Sequence, residues 1–111
     1  EAWQQLRTAV AGVFLHPTVA TYALDLVDTV RSRSQSRQPL SPRASLELVA
    51  LARAHALVAG RDHVRPDDVQ RLAVAALSHR IVDATNDNLA VARTWMEQFV
   101  LQVPVPPDPR G

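Results

Sequence analysis

Between Thr29 and Arg43 the chain carries four arginines, Arg31, Arg33, Arg37 and Arg43, and no acidic residue. The chemistry that arginine offers is charge-assisted hydrogen bonding to anions. Arg43 has the most specific setting of the four. It follows Ser41-Pro42, a strong helix start with serine as N-cap and proline at the first helical position. A cation at the second position of such a helix opposes the helix dipole, at a cost of roughly a few tenths of a kcal/mol. An anion at the same end reverses the sense, because free N–H groups and the guanidinium then converge on it. A plain solvated arginine that tolerates the small penalty is equally compatible with the spacing.

The other candidates carry less. Arg31, Arg33 and Arg37 are either a phosphate-contacting patch or a solvated loop. No aromatic residues interleave with them, as stacking on single strands would require. His55 and His63 straddle Gly60, and neither H-E-x-x-H nor H-x-x-x-H occurs, so no metal site is expected. His79, beside Arg80, reads as a helix-end residue near the last carbonyls. Asp67 and Asp68 are adjacent, do not face one another on a helix, and are accounted for by capping.

Absent residue types exclude whole function classes. The chain has no cysteine and no lysine, all 12 basic residues being arginine, and only three glycines. Disulfides, thiol nucleophiles, lysine Schiff bases and the loop G-x-x-x-x-G-K-[ST] are therefore out. The principal phosphate site of a nucleotide enzyme cannot lie here, and the chain reads as a binding or regulatory module rather than a self-sufficient enzyme.

The elements that must position these residues are helical throughout. A chain of 111 residues, 47% hydrophobic and 21% charged, with net charge +1, suits one globular domain without a strong global field. Ala2 to Ala11 predicts a short helix with Trp3, Leu6 and Val10 on one side. Pro17 opens a second, with Val19, Tyr22, Ala23, Leu26, Val27 and Val30 as its apolar stripe, fraying from Arg31 onward. Arg43 to Ala59 is apolar nearly all round, Gly60 closing it, and is expected to be the central helix. Around it Tyr22, Leu26, Leu46, Val49, Leu57, Val69, Leu72 and Leu77 form the expected core. Pro66-Asp67-Asp68 opens a helix whose inward stripe is Val69, Leu72, Ala73, Ala76, Leu77 and Arg80. The last runs from about Asn88 to Gln102, with Leu89, Ala92, Trp95, Met96, Phe99 and Val100. The fold class is all-α, a four- to five-helix bundle, with Val13–Leu15 and His63–Val64 as candidates for a minimal two-stranded β pair. Residues 1–103 form the domain and 104–111 a proline-rich tail.

Ser41-Pro42-Arg43-Ala44-Ser45-Leu46 is where the chain resembles a known family, the C-terminal lid domain of the MoxR-type AAA+ ATPases. Before it come Tyr22, Leu26-Val27 and Thr29-Val30-Arg31. After it, in order, come Ala52-Arg53-Ala54-His55-Ala56, Gly60-Arg61-Asp62-His63-Val64, Pro66-Asp67-Asp68-Val69, His79-Arg80-Ile81 and Val103-Pro104-Val105-Pro106. The resemblance covers nearly the whole chain, and the ordered set is more specific than any one piece. It implies a lid of AAA+ type that closes over ATP held, with Mg2+, by a separate N-terminal α/β domain. It implies a chaperone-like, cytoplasmic, hexameric ATP hydrolase as the parent, with a von Willebrand A-domain protein as partner. It makes Arg43 the sensor-two arginine near the γ-phosphate and Ser41, Pro42 and Arg43 the nucleotide-facing residues. The chain itself, which opens on Glu1, is then a piece of that parent and inert alone.

Two departures stand out. The family has Gly-Ala before Ser-Pro-Arg; here Pro39-Leu40 stands there, without the freely available positive φ of glycine. The acidic connection after Arg80 is shortened to residues 82–87. The alternative reading is a helical interaction or nucleic-acid-binding module that uses the Arg31–Arg43 basic patch.

Overall fold

The computed structural model describes residues 1–37 and 39–109; Gln38 and the end of the tail, Arg110 and Gly111, lie outside the described residues. Five α-helices follow in order: α1 (Ala2–Ala11), α2 (Pro17–Arg33), α3 (Ala44–Val58), α4 (Pro66–Arg80) and α5 (Leu89–Leu101). A 3-10 turn at Val82–Thr85 takes up the shortened connection between the last two. The expected strand pair amounts to one parallel bridge between Phe14 and His63. The Phe14 N–H donates to the Asp62 carbonyl at 2.8 Å and the Val64 N–H to the Phe14 carbonyl at 2.9 Å.

Helix α2 begins where Pro17 predicts, and His16 caps it, its Nδ1 accepting the Thr18 N–H at 3.1 Å. The whole stripe Val19, Tyr22, Ala23, Leu26, Val27 and Val30 is buried. The helix continues past the expected fray at Arg31 to Arg33, and the Ser34 N–H closes it on the Val30 carbonyl at 2.9 Å. Helix α5 is capped by Asn88, whose side-chain oxygen accepts the Val91 N–H at 3.2 Å, and buries Ala92, Met96 and Val100. Leu89 and Trp95 of its stripe stay at the rim.

The middle of the bundle is α4 rather than α3. Helix α4 touches α2, α3, α5 and the 3-10 turn. It buries Val69, Ala73 and Leu77, with Leu72 packed against the core. Arg80 of the expected stripe is exposed and pairs with Glu47 of α3. Helix α3 buries only Ala44, Leu48, Ala52 and Ala56, an i, i+4 row of small residues around one leucine. Leu46, expected inside, is 71% exposed. A helix that is apolar all round gives no periodic signal about which face turns inward, and here the narrow alanine face is the one that packs. Leu46→Ala is therefore expected to change unfolding free energy by no more than about 0.5 kcal/mol, read from urea denaturation midpoints at unchanged slope. A loss several times larger would put Leu46 back in the core.

The end of α3 sets up a bidentate ion pair with a buried carboxylate. Gly60, at φ +80, takes the left-handed conformation that glycine adopts without steric cost. Its N–H donates to the Leu57 carbonyl at 3.0 Å, and that of Arg61 to the Ala56 carbonyl at 2.9 Å, a Schellman closure. The turn delivers Arg61 to Asp68 on α4, where two parallel N–H···O bonds of 2.6 Å join guanidinium and carboxylate. Asp68 is buried at 1% exposure and also accepts the Arg65 N–H at 2.8 Å, capping its own helix. His55 Nε2 stands 3.7 Å from the same carboxylate. The proline-rich segment lies against this end of the bundle: Val103 is buried, and Asp108 meets Arg65 Nε at 3.3 Å and His63 Nε2 at 3.5 Å.

Candidate functional site

Ser41, Pro42 and Arg43 lie together on one exposed turn that leads into α3. Helix α3 starts at Ala44, two residues later than Ser41-Pro42 predicts, with Arg43 as its N-cap residue. Ser41 contributes its carbonyl rather than its side chain: the Ala44 N–H donates to it at 3.0 Å, closing a four-residue turn with Pro42 in the second place. The Arg43 carbonyl accepts the Glu47 N–H at 2.9 Å, so its backbone is already committed to the helix. The Arg43 side chain is exposed and, among the described residues, makes no ion pair or capping hydrogen bond. The other amides of the first turn are the ones a helix leaves without internal partners.

The loop before this turn is tied down at two places. Gln35, at φ 52, reverses the chain after α2. Asp83 of the 3-10 turn then takes the Ser36 hydroxyl at 2.6 Å and the Arg37 N–H at 2.6 Å, with Arg37 Nε at 3.4 Å. The Ser36 hydrogen bond, with the Arg37 contacts, holds the Asp83 carboxyl below its ordinary value against the opposing pull of desolvation. Nearer the turn, Arg31 reaches from α2 to the carbonyls of Leu40 at 3.2 Å and Ser41 at 3.3 Å, while Asp28 pairs with it at 2.8 Å. Leu40 is buried and anchors the loop in the core.

The four arginines of the basic run therefore divide. Arg31 and Arg37 are engaged by Asp28 and Asp83, whereas Arg33 and Arg43 have no ion-pair partner among the described residues. The sequence puts Arg43 at the second position of the helix, whereas it stands at the N-cap on the exposed turn; Asp83, which lies far along the chain from Ser36, carries no local signal. Asp28, three residues before Arg31 on the same helix, was a legible partner. Among the described residues no group of three or more His, Asp or Glu side chains could hold a metal ion, and none of their helices is long and apolar enough to cross a membrane.

Residues 29–97, which include the tethered loop, the turn, α3, α4 and the first part of α5, match the model of the AAA lid domain. The chain belongs to the AAA lid domain family. The lid domain is 35% identical over 77 residues to the uncharacterized protein YeaC of Bacillus subtilis, a match that covers 69% of this chain and 24% of that protein. It is 37% identical over 95 residues to the chaperone MoxR1 of Mycobacterium tuberculosis, covering 78% of this chain and 25% of that protein. The lid domain thus spans about a quarter of the length of the curated relatives it matches. No solved structure matches it significantly.

Proposed function

We propose that this lid domain closes over ATP bound to an N-terminal AAA α/β domain of a MoxR-type ATPase, and that Arg43 meets the γ-phosphate as its sensor-two residue. The observation that carries the reading is the contrast within one basic run: Arg31 and Arg37 face internal carboxylates, and of the two arginines without an ion-pair partner among the described residues, Arg33 and Arg43, only Arg43 stands on the tethered turn at the start of α3. A triphosphate beyond the start of α3 would receive both the guanidinium and the field of the helix N-terminus. Mg2+ and the phosphate loop belong to the α/β domain, since this chain has no lysine for such a loop. The parent is then a chaperone-like, cytoplasmic, hexameric ATP hydrolase with a von Willebrand A-domain partner, and the lid alone turns over no ATP. The internal pairing of Arg31 and Arg37 weighs against the alternative of a nucleic-acid-binding patch, because two of its four arginines already have a carboxylate beside them. The test is ATP turnover by the full-length protein and its Arg43→Ala variant, set against the thermal unfolding of both.

A further inference from the structure

The geometry points to Arg31 as a positioning residue for Arg43, an inference that rests on the reading of Arg43 as the group that meets the terminal phosphate. The three nitrogens of the Arg31 guanidinium make three separate attachments. Nη1 binds Asp28 at 2.8 Å, Nε donates to the Leu40 carbonyl at 3.2 Å, and Nη2 donates to the Ser41 carbonyl at 3.3 Å. Arg31 is thereby occupied with the protein's own backbone and is not a second contact to an anion.

What it holds is the segment that determines where Arg43 stands. The Ser41 carbonyl that accepts from Arg31 also accepts the Ala44 N–H at 3.0 Å, the bond that closes the turn. Between that carbonyl and Arg43 there is a planar peptide bond, then Pro42 with its φ locked by the ring. The two remaining soft dihedrals, ψ of Pro42 and φ of Arg43, lie inside the turn that this closure sets. Fixing the Ser41 carbonyl to the end of α2 therefore fixes the origin of the Arg43 side chain relative to the bundle. Asp28 is 69% exposed, so its ion pair is weak in itself and serves to orient the fork. Displacing a positioned charged group by about 1 Å can cost as much as a hundredfold in rate, so a brace two residues away is enough to matter.

The experiment is a double-mutant cycle in the full-length protein, with kcat and KM for ATP measured for Arg31→Ala, Arg43→Ala and the pair. Arg31→Ala is expected to lower kcat about tenfold with KM near that of the parent, a loss set by misplacement rather than lost binding. In the Arg43→Ala background the same change is expected to cost less than about twofold, since there is no longer a guanidinium to position. Arg31→Lys, which can reach one carbonyl but cannot fork between two, is expected to regain only part of kcat and carries the test if the alanine variant fails to fold. An equal loss in both backgrounds, or full kcat in Arg31→Ala where Arg43→Ala is impaired, overturns the positioning role and leaves Arg43 standing. A silent Arg43→Ala overturns the reading of Arg43 and this inference with it.

Discussion

Arg43→Ala in the full-length protein is expected to slow ATP hydrolysis about ten- to hundredfold while the lid melts at the same temperature. Charge develops on the phosphoryl oxygens during transfer, so a guanidinium fixed beside them stabilises the transition state more than it stabilises bound nucleotide. One lost charged hydrogen bond of about 1.5–3 kcal/mol corresponds to that range of rate. Folding is expected to be indifferent. The side chain is exposed at the N-cap of α3 and supports no packing, and its removal slightly relieves the repulsion between a cation and the positive helix end. Steady-state turnover with circular-dichroism melting separates the two effects. Wild-type turnover at unchanged nucleotide affinity would return Arg43 to the status of a solvated helix-end arginine.

Asp68→Ala is expected to act in the opposite sense, on stability and not on chemistry. It removes the partner of Arg61, which is only 20% exposed, and the cap of the Arg65 N–H at the start of α4. Breaking a buried ion pair by deleting one member costs about 3–5 kcal/mol, since the other charge is left without a partner. For a domain with total stability of about 5–15 kcal/mol, that is a fall in Tm of roughly 10–20 °C. The pH dependence follows from the same geometry. Burial raises the Asp68 carboxyl pKa, but the Arg61 hydrogen bonds, the Arg65 N–H and the nearby positive charges outweigh it and hold the pKa below the ordinary 3.8. A depressed carboxylate contributes its full stabilisation above the unfolded value of about 3.8 and loses it as pH falls through the lower folded value. Acid unfolding of the wild-type domain should therefore steepen below that pH, and Asp68→Asn should flatten this limb. Identical acid limbs in the two proteins would contradict the role given to the pair.

The parts legible in the sequence are those where one face of a helix is apolar and its ends carry punctuation. The stripe Val19, Tyr22, Ala23, Leu26, Val27 and Val30 could be read because polar residues fill the other face of α2, and Pro17 marks its start. In α3 leucines on several faces left the period uninformative, so Leu46 was expected where Leu48 packs. The turn that carries Arg43 was legible from Ser41-Pro42 as a helix entry. Its detail was not, because serine closes the turn through its carbonyl, which any residue possesses. Asp68 announced itself as a first-turn acid on α4. Its pairing with Arg61 depends on the Gly60 closure and on how α3 meets α4, neither of which leaves a mark at Asp68 itself.

Hydrogen exchange of the segment from Leu40 to Leu46 in the full-length protein, with ADP or with a non-hydrolysable ATP analogue bound, bears most directly on whether the start of α3 faces the terminal phosphate. The exposed first-turn amides should be protected more by the triphosphate than by the diphosphate, and the difference should vanish in Arg43→Ala. Equal exchange with the two nucleotides, at saturating occupancy of both, would mean that Arg43 and the turn beneath it do not report on the γ-phosphate.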